Sequence, residues 1–336
     1  MTRVSRESVH SGAKLSGTST WLPPARNPSG VILARELADA ASSCYPKRVG
    51  ALTSCLEQGT SRRGAALMGV LNVTPDSFFD GGRYTAEESA RRRIDALLDE
   101  GAEIVDIGGE SSRPGAKSVG TAEQIERIDA AVRYALQRGA VVSIDTTDPK
   151  VADCMLQLGA HLVNDVSCLA DPELARVCAR HDAVLLLMHS RGPMSRMPGF
   201  SVYPNGAYGD VVADVLSEWR SRRDEAMRQG LSGASIWLDP GLGFGKNARH
   251  SLALLRGLGR LCEEGVPVAV GPSRKSFISA VDDSPPEQRL GGSIAACMLA
   301  VEAGARLLRV HDVHDVHQAL RMQHEVRLGA SEVARA

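Results

Sequence analysis

Residues 67–82 read LMGVLNVTPDSFFDGG. Leu67 to Leu71 is a short apolar run, with the length and residue type of a buried parallel strand. It stops at Asn72, whose amide carries two donors and an acceptor. A loop rich in Pro, Asp and Gly follows, and the next helical signal comes at Thr85. Barrel enzymes build sites in this way, with a polar residue at the carboxyl end of a buried strand and a long loop after it. A simple strand-end cap explains Asn72 equally well on this stretch alone.

From Gly64 onward the pattern repeats. Six times a helical segment ends in glycine, at Gly101, Gly139, Gly159, Gly233, Gly265 and Gly304, and an apolar strand follows. Glycine suits the residue after a helix because that position often adopts the left-handed conformation. The strands introduced are Glu103–Ile107, Val141–Ile144, His161–Val163, Ser235–Leu238, Pro267–Val270 and Arg306–Val310. Leu67–Leu71 and Ala183–Met188 bring the number to eight. The intervening helices carry start signals. Thr85 with Glu88 and Thr121 with Gln124 read as capping boxes, and Asp148-Pro149 and Asp171-Pro172 read as N-caps beside a first-turn proline. Eight such units in roughly 260 residues give a single (β/α)8 TIM barrel. A doubly wound open sheet fits less well, since no G-x-G-x-x-G follows an early strand.

The bulk numbers agree with this reading. A chain of 336 residues holds one large barrel or two medium domains. Its 39 basic and 40 acidic residues leave no global charge to favour nucleic acid, and no apolar span is long enough to cross a membrane. Seven cysteines form no CxxC pair, and free thiols in a reducing cytoplasm are the plain reading. Residues 1–63 stand apart, with nine Lys/Arg against four Asp/Glu and one short helical pattern at 31–42. The start is Arg- and Ser-rich like a transit peptide, but it has no long apolar region followed by a small-residue cleavage site. It reads as a poorly ordered extension before a barrel unit at 64–330, and removal of residues 1–60 is expected to leave that barrel folded.

In a barrel the chemistry gathers at the carboxyl ends of the strands. Those ends carry Asn72, Asp106 with Glu110 and Arg113, Asp145, Asn164-Asp165, His189, Asp239, Ser273-Arg274-Lys275, and Arg309 with His311. Asp145, Asn164 and Asp239 supply acceptors and an amide, which suits a flat heterocycle with an amidine-like edge. Arg113, Lys275, Arg309 and His311 supply donors and positive charge suited to a phosphate or diphosphate. Asp145 and Asp239 could instead cap helices or pair with these same bases. The DPGLGFGK run at 239–246 lacks Walker spacing, so it is no P-loop. In the RVHDVHDVH tract at 309–317, His311 ends a strand while His314 and His317 lie on the following helix, so a solvated helix start with Asp312 or Asp315 as N-cap is favoured over a zinc site.

The segments LNVTPDSFFDGG, IVDIGGESSRPGA, SIDT, VNDV, LLMH, DPGLGFGK, GPSRKS and RVHDV resemble, in order, the motifs of the dihydropteroate synthase family, a pterin-binding TIM barrel, across roughly residues 64–330. The resemblance implies condensation of 6-hydroxymethyl-7,8-dihydropterin diphosphate with p-aminobenzoate. It implies that Asp145, Asn164, Asp239 and Lys275 hold the pterin, with Met188 lining its pocket. It further implies that Asn72, Arg113, Arg309 and His311 hold the diphosphate, with Mg2+ near Asn72. Ser112, Pro114, Phe244 and Ser276 would lie along the p-aminobenzoate path, loops 73–84 and 110–120 would be lids, and the assembly would be a homodimer. No nucleic acid or membrane partner is implied. Phe79, Ser112, Asp148 and the run Ser190-Arg191-Gly192 depart from the family pattern, and Phe79 leaves sulfonamide sensitivity open. Two other readings share the barrel: a pterin-binding paralogue without turnover, and a methyltetrahydrofolate-dependent corrinoid methyltransferase. Arg309, His311 and the SRKS run argue against the second.

Overall fold

The structure, a computed structural model, describes residues 47–74, 83–110, 119–192 and 203–329. The helical pattern at 31–42 lies outside them.

Eight parallel strands run β1 (Ala66–Asn72), β2 (Ile104–Gly108), β3 (Val141–Asp145), β4 (Leu162–Asp165), β5 (Val184–Met188), β6 (Ile236–Asp239), β7 (Ala269–Val270) and β8 (Leu307–Val310). Their order is β6-β5-β4-β3-β2-β1-β8-β7, and a parallel bridge between Leu238 and Val268 links the two outer strands. The result is a (β/α)8 barrel, with each strand within one or two residues of the position expected from the sequence. Side chains alternate across a strand, so i and i+2 face the same side. In β2, Ile104 faces the barrel interior with Asp106 above it. Leu162 and Asn164, Trp237 and Asp239, and Leu307 and Arg309 repeat this relation. The lower interior layer is therefore apolar and the upper one polar. The outward set, including Leu67, Val105, Ile107, Val142, Val163 and Leu185, packs under the helices in a second, larger core.

The lower layer is sealed by a helix the sequence did not reveal. Helix α1 (Lys47–Arg63) precedes β1, and its Val49, Leu52 and Leu56 pack against Met68, Ile104, Leu162, Leu186, Trp237 and Leu307. Arg48 donates to the carbonyls of His181 and Leu156, the latter at 2.7 Å. At the other end, buried Arg63 pairs with Glu103, whose carboxylate also accepts the Leu67 N–H at 2.8 Å. Among the described residues, the segment before residue 64 is thus part of the barrel's packing. The signal was weak because α1 buries few apolar positions on an otherwise polar helix.

The remaining helices are α2 (Arg83–Asp99), α3 (Thr121–Gln137), α4 (Pro149–Leu158), α5 (Glu173–Arg180), α6 (Val211–Arg228), α7 (Ala248–Arg256), α8 (Leu258–Cys262), α9 (Ser276–Asp282), α10 (Leu290–Glu302) and α11 (Val313–Leu328). Asp148 caps α4, accepting the Lys150 N–H, and Asp171 accepts the Glu173 N–H at 2.9 Å. Five expected features differ. Helix α2 begins at Arg83, so Thr85 lies inside it rather than capping it, and Pro172 rather than Asp171 holds the N-cap position of α5. Gly120, not Thr121, is the N-cap of α3, and the two members of the supposed box turn away: Thr121 to Asp148, Gln124 to Glu110 and the Val119 carbonyl. Gly230, with φ of 97°, follows α6 in the left-handed region, while Gly233 opens a short 3-10 turn. Asp312 begins α11 without a side-chain cap bond because its carboxylate takes Arg274 instead.

The bottom helix gives a direct prediction. Deletion through Arg63 uncovers the interior layer around Met68 and Trp237, and loss of cooperative thermal unfolding is the expected outcome, whereas deletion of residues 1–45 should retain it. Leu52→Ala should destabilise the barrel by about 2–5 kcal/mol in urea titration; a change near zero would show that α1 is not part of the core.

Candidate active site

Arg309 stands at the centre of the barrel mouth. Its Nε donates to Asp106 Oδ2 at 2.6 Å and one terminal nitrogen donates to Asp145 Oδ2 at 2.7 Å. Asp106 is fully buried, and it also accepts from Ser143 Oγ at 2.6 Å and Asn164 Nδ2 at 3.2 Å. Four strands are tied together through one carboxylate. The register explains how: Gly108 lies opposite Asp145 and Asp145 opposite Asn164 on successive strands. A Cβ on Gly108 would lie 3.3 Å from Asp145 Cβ and 3.7 Å from Asn72 Oδ1, so glycine here leaves room between those two groups. Burial raises the Asp145 carboxyl, Arg309 opposes the rise, and the nearby Asp106 charge adds to it. The same two carboxylates hold the Arg309 guanidinium firmly protonated. The expected division between acceptors for a heterocycle and cations for a diphosphate is therefore crossed by a direct ion pair, one of the alternatives noted for Asp145.

The opposite wall is built from the loop after β6. Asp239 accepts the Gly241 N–H at 2.7 Å, and burial raises its carboxyl against the pull of Lys275. Gly241, with φ of 66°, could carry no side chain, since a Cβ would meet the His189 carbonyl oxygen at 2.1 Å. Lys275 donates to the Leu242 carbonyl at 2.6 Å and its ammonium lies 4.5 Å from the centre of the Phe244 ring. Desolvation lowers Lys275 and Asp239 opposes the shift; the side chain is half-buried, so solvent limits how far it falls. Phe244, Met188 and Val166 form a small apolar cluster beside these groups.

The other expected residues take varied places. Asn72 ends β1 at the mouth and is partly exposed. His311 sits on the exposed rim, where the Ser273 hydroxyl accepts its backbone N–H at 3.3 Å and lies 3.1 Å from Nδ1. Burial of its inner edge and the Arg309 charge lower its imidazole, a shift moderated by the ring's exposure to water. Ser276 opens α9 beside Lys275. Ser112, Arg113 and Pro114 lie outside the described residues, as do Phe79 and most of the two expected lid loops. His317 does not approach His311; its Nδ1 lies 3.0 Å from the Glu100 carbonyl. Asp165 faces away from the mouth, accepting from Ser167 N at 2.8 Å and Leu169 N at 2.6 Å and so holding Cys168 and Leu169 at φ of 62° and 53°.

The sequence reading missed Asp106 as a hub, although its i+2 relation to Ile104 pointed inward. It also missed Lys246, fully buried, whose ammonium reaches His189 Nδ1 at 2.9 Å. His189 Nε2 lies 3.0 Å from Glu218 Oε2. Burial lowers Lys246 to about 7 and His189 to about 4.

The pterin-binding enzyme family matches residues 68–311. The chain is 41% identical over 255 residues to the dihydropteroate synthase of Synechocystis sp., covering 75% of this chain and 86% of that one. The chain belongs to the dihydropteroate synthase family. Two solved dihydropteroate synthase structures from Xanthomonas albilineans, one with 4-aminobenzoic acid and one with 7,8-dihydropteroate, superpose with TM-scores of 0.72 and 0.69 at 39% and 36% identity. Each aligns with 79% of this chain and 94% of the solved one. Dihydropteroate synthases are transferases, and the mouth described here has the mixed acceptor and donor walls of a transfer site rather than a nucleophile–base pair.

Buried His189 is expected to make the folded chain sensitive to acid. A histidine whose folded value falls from 6.5 to about 4 keeps the folded chain neutral where the unfolded chain gains a proton. Its contribution to stability is present above the unfolded value and is lost as pH falls from 6.5 toward 4. Urea titrations across that window should show a loss on the order of 3 kcal/mol that His189→Asn reduces, since the amide has no proton to gain. An identical pH slope in the variant would assign the acid sensitivity elsewhere.

Proposed function

We propose that this chain condenses 6-hydroxymethyl-7,8-dihydropterin diphosphate with p-aminobenzoate, giving 7,8-dihydropteroate and diphosphate. The observation that carries the reading is the convergence of buried Asp145, Asn164 and Asp239 on one mouth with Arg309 at its centre. A pterin presents paired N–H donors that carboxylates and an amide oxygen accept, and Lys275 offers a donor to a ring acceptor. The ring lies against Met188. Ser112, Pro114, Phe244 and Ser276 line the approach of the aryl amine, as the family likeness implies.

The transferred carbon is the exocyclic methylene. Its bond to the diphosphate oxygen breaks, the amine nitrogen bonds to it, and the amine loses a proton. The pterin shares the positive charge that develops as the oxygen departs, so charge on the diphosphate grows before nitrogen arrives. Arg309, with Arg113 and His311, answers that growing charge. An aryl amine is neutral near pH 7, so the protein need only hold it in line and out of water. Among the described residues no three His, Cys, Asp or Glu converge as a metal site. Asn72, with its amide at the mouth, would offer an oxygen to magnesium, an ion that takes few protein donors and keeps several waters. Magnesium would supply further neutralisation of the leaving group.

The proposal includes a cytoplasmic homodimer. Val281, Leu299, Met322, Val326 and Leu328 on α9, α10 and α11 are exposed apolar side chains in keeping with a covered face, and the described cysteines are all free thiols. Among the described residues no helix is long and apolar enough to cross a membrane.

Diphosphate release from the pterin diphosphate, measured with and without p-aminobenzoate, is the test. Release that requires the amine supports the reading; binding without release would mark a pterin-binding relative without turnover. Arg309→Lys should lower turnover about 10²-fold or more, because an ammonium cannot serve Asp106, Asp145 and a leaving group together. Near-normal turnover in that variant would make Arg309 structural. Asp239→Asn should weaken pterin binding in calorimetry more than diphosphate binding, since a neutral amide cannot receive two donors; equal losses would count against the assignment of Asp239.

A further inference from the structure

Lys246 is a buried cation that the transfer reaction does not use. It ends the run Asp239-Pro240-Gly241-Leu242-Gly243-Phe244-Gly245-Lys246, and its side chain turns back beneath that loop, fully buried. An ammonium has three donors and no acceptor. Three acceptors surround it: Phe244 O at 2.9 Å, His189 Nδ1 at 2.9 Å and His189 O at 3.2 Å. Because Nδ1 accepts, the His189 proton sits on Nε2, where it faces Glu218 Oε2 at 3.0 Å. Glu218 in turn takes Arg191 through two contacts from Nε at 3.1 Å. The row runs from the loop after β6, through the end of β5, to a carboxylate on α6.

The loop is pinned along its length, but by different groups. Its first half is held by site residues themselves, with Asp239 on the Gly241 N–H and Lys275 on the Leu242 carbonyl. Its second half keeps two ties within the mouth, the Phe244 N–H on the Gly241 carbonyl at 3.0 Å and the Lys275 ammonium over the Phe244 ring. It adds three from outside the mouth: Gly243 N–H on Ser251 Oγ at 3.1 Å, the Gly245 carbonyl on Tyr208 OH at 2.9 Å, and the Phe244 carbonyl on Lys246. Through its two contacts with His189, Lys246 joins the Phe244 peptide to the end of β5.

We infer that Lys246, with its orientation fixed by His189 and Glu218, is a positioning residue that sets Phe244 for the aryl amine. This rests on the transfer reaction proposed above. Release of Lys246 loosens Phe244 while Asp239 keeps its own tie, so the defect should fall on the amine rather than on the pterin.

The test uses the full chain and its Lys246→Met, Glu218→Leu and Glu218→Gln variants. Lys246→Met should raise KM for p-aminobenzoate about 10-fold, the scale of one lost charged hydrogen bond, with pterin affinity by calorimetry changed far less. Glu218 is partly exposed on α6, and its variants should perturb folding less than loss of the buried Lys246. Glu218→Leu should raise the same KM in the same direction, and Glu218→Gln, which retains an acceptor for His189, should restore it. Amide hydrogen exchange across 241–246 should speed up in Lys246→Met and Glu218→Leu, independent of any turnover. Wild-type protein without amine-dependent release would remove the reaction but leave the exchange result to decide the tie. Active wild-type protein with unchanged amine KM in both Lys246→Met and Glu218→Leu would overturn the inference. So would equal losses for pterin and amine, or unchanged exchange. Should Lys246→Met fail to fold, the contrast between Glu218→Leu and Glu218→Gln decides between the two outcomes.

Discussion

Two buried carboxylates share one guanidinium at the mouth of this barrel, and the arrangement around them follows from that sharing. Asp106 and Asp145 lie on strands whose neighbours are fixed by register, and Arg309 on β8 reaches both. Burying a charge pair is costly unless the remaining lone pairs are also met. Ser143 and Asn164 meet those of Asp106. Asp145 has fewer partners, and burial raises its carboxyl. It is thus the less satisfied member of the trio and the one suited to a donor from outside. A ligand bearing N–H groups would complete Asp145 without disturbing Asp106, which keeps the guanidinium in place.

Much of this was legible from residue order. An apolar residue followed two places later by a polar one, as in Ile104 and Asp106 or Leu307 and Arg309, places the polar group inward at the strand's upper end. That relation follows from the pleat and survives in any barrel. The strands themselves were legible because glycine and an apolar run mark most of the helix-to-strand passages. What failed was local chemistry with competing partners. Thr121 and Gln124 have the spacing of a capping box, yet Asp148 and Glu110 lie close enough in the fold to draw them away. Asp312 has the place of a cap, but Arg274, 38 positions earlier, takes both its oxygens. Spacing along the chain carries no information about a partner brought by tertiary structure.

The same limit hid the two buried supports. Helix α1 presents few apolar residues because it covers only the narrow end of the interior. Lys246 carried no assignment, because the glycine-rich run it ends lacks the spacing of a P-loop. Its side chain points under the loop, where the His189 carbonyl and ring receive it. The likeness marked the segment but carried no direction for that side chain.

Synthesis runs from the amino end, so Asp106 and Asp145 are made about 160 to 200 residues before the cation that neutralises them. A chain arrested before β8 holds the pair with Ser143 and Asn164 but without the Arg309 cation. Such an intermediate must leave the mouth wet or keep a proton on a carboxyl, and either choice weakens its closure. The joining of β8 to β1 brings the two ends of the barrel together and delivers Arg309 in the same event. Completion of the backbone ring and neutralisation of its interior charge are one step, so a truncated product is marked as incomplete by its own electrostatics.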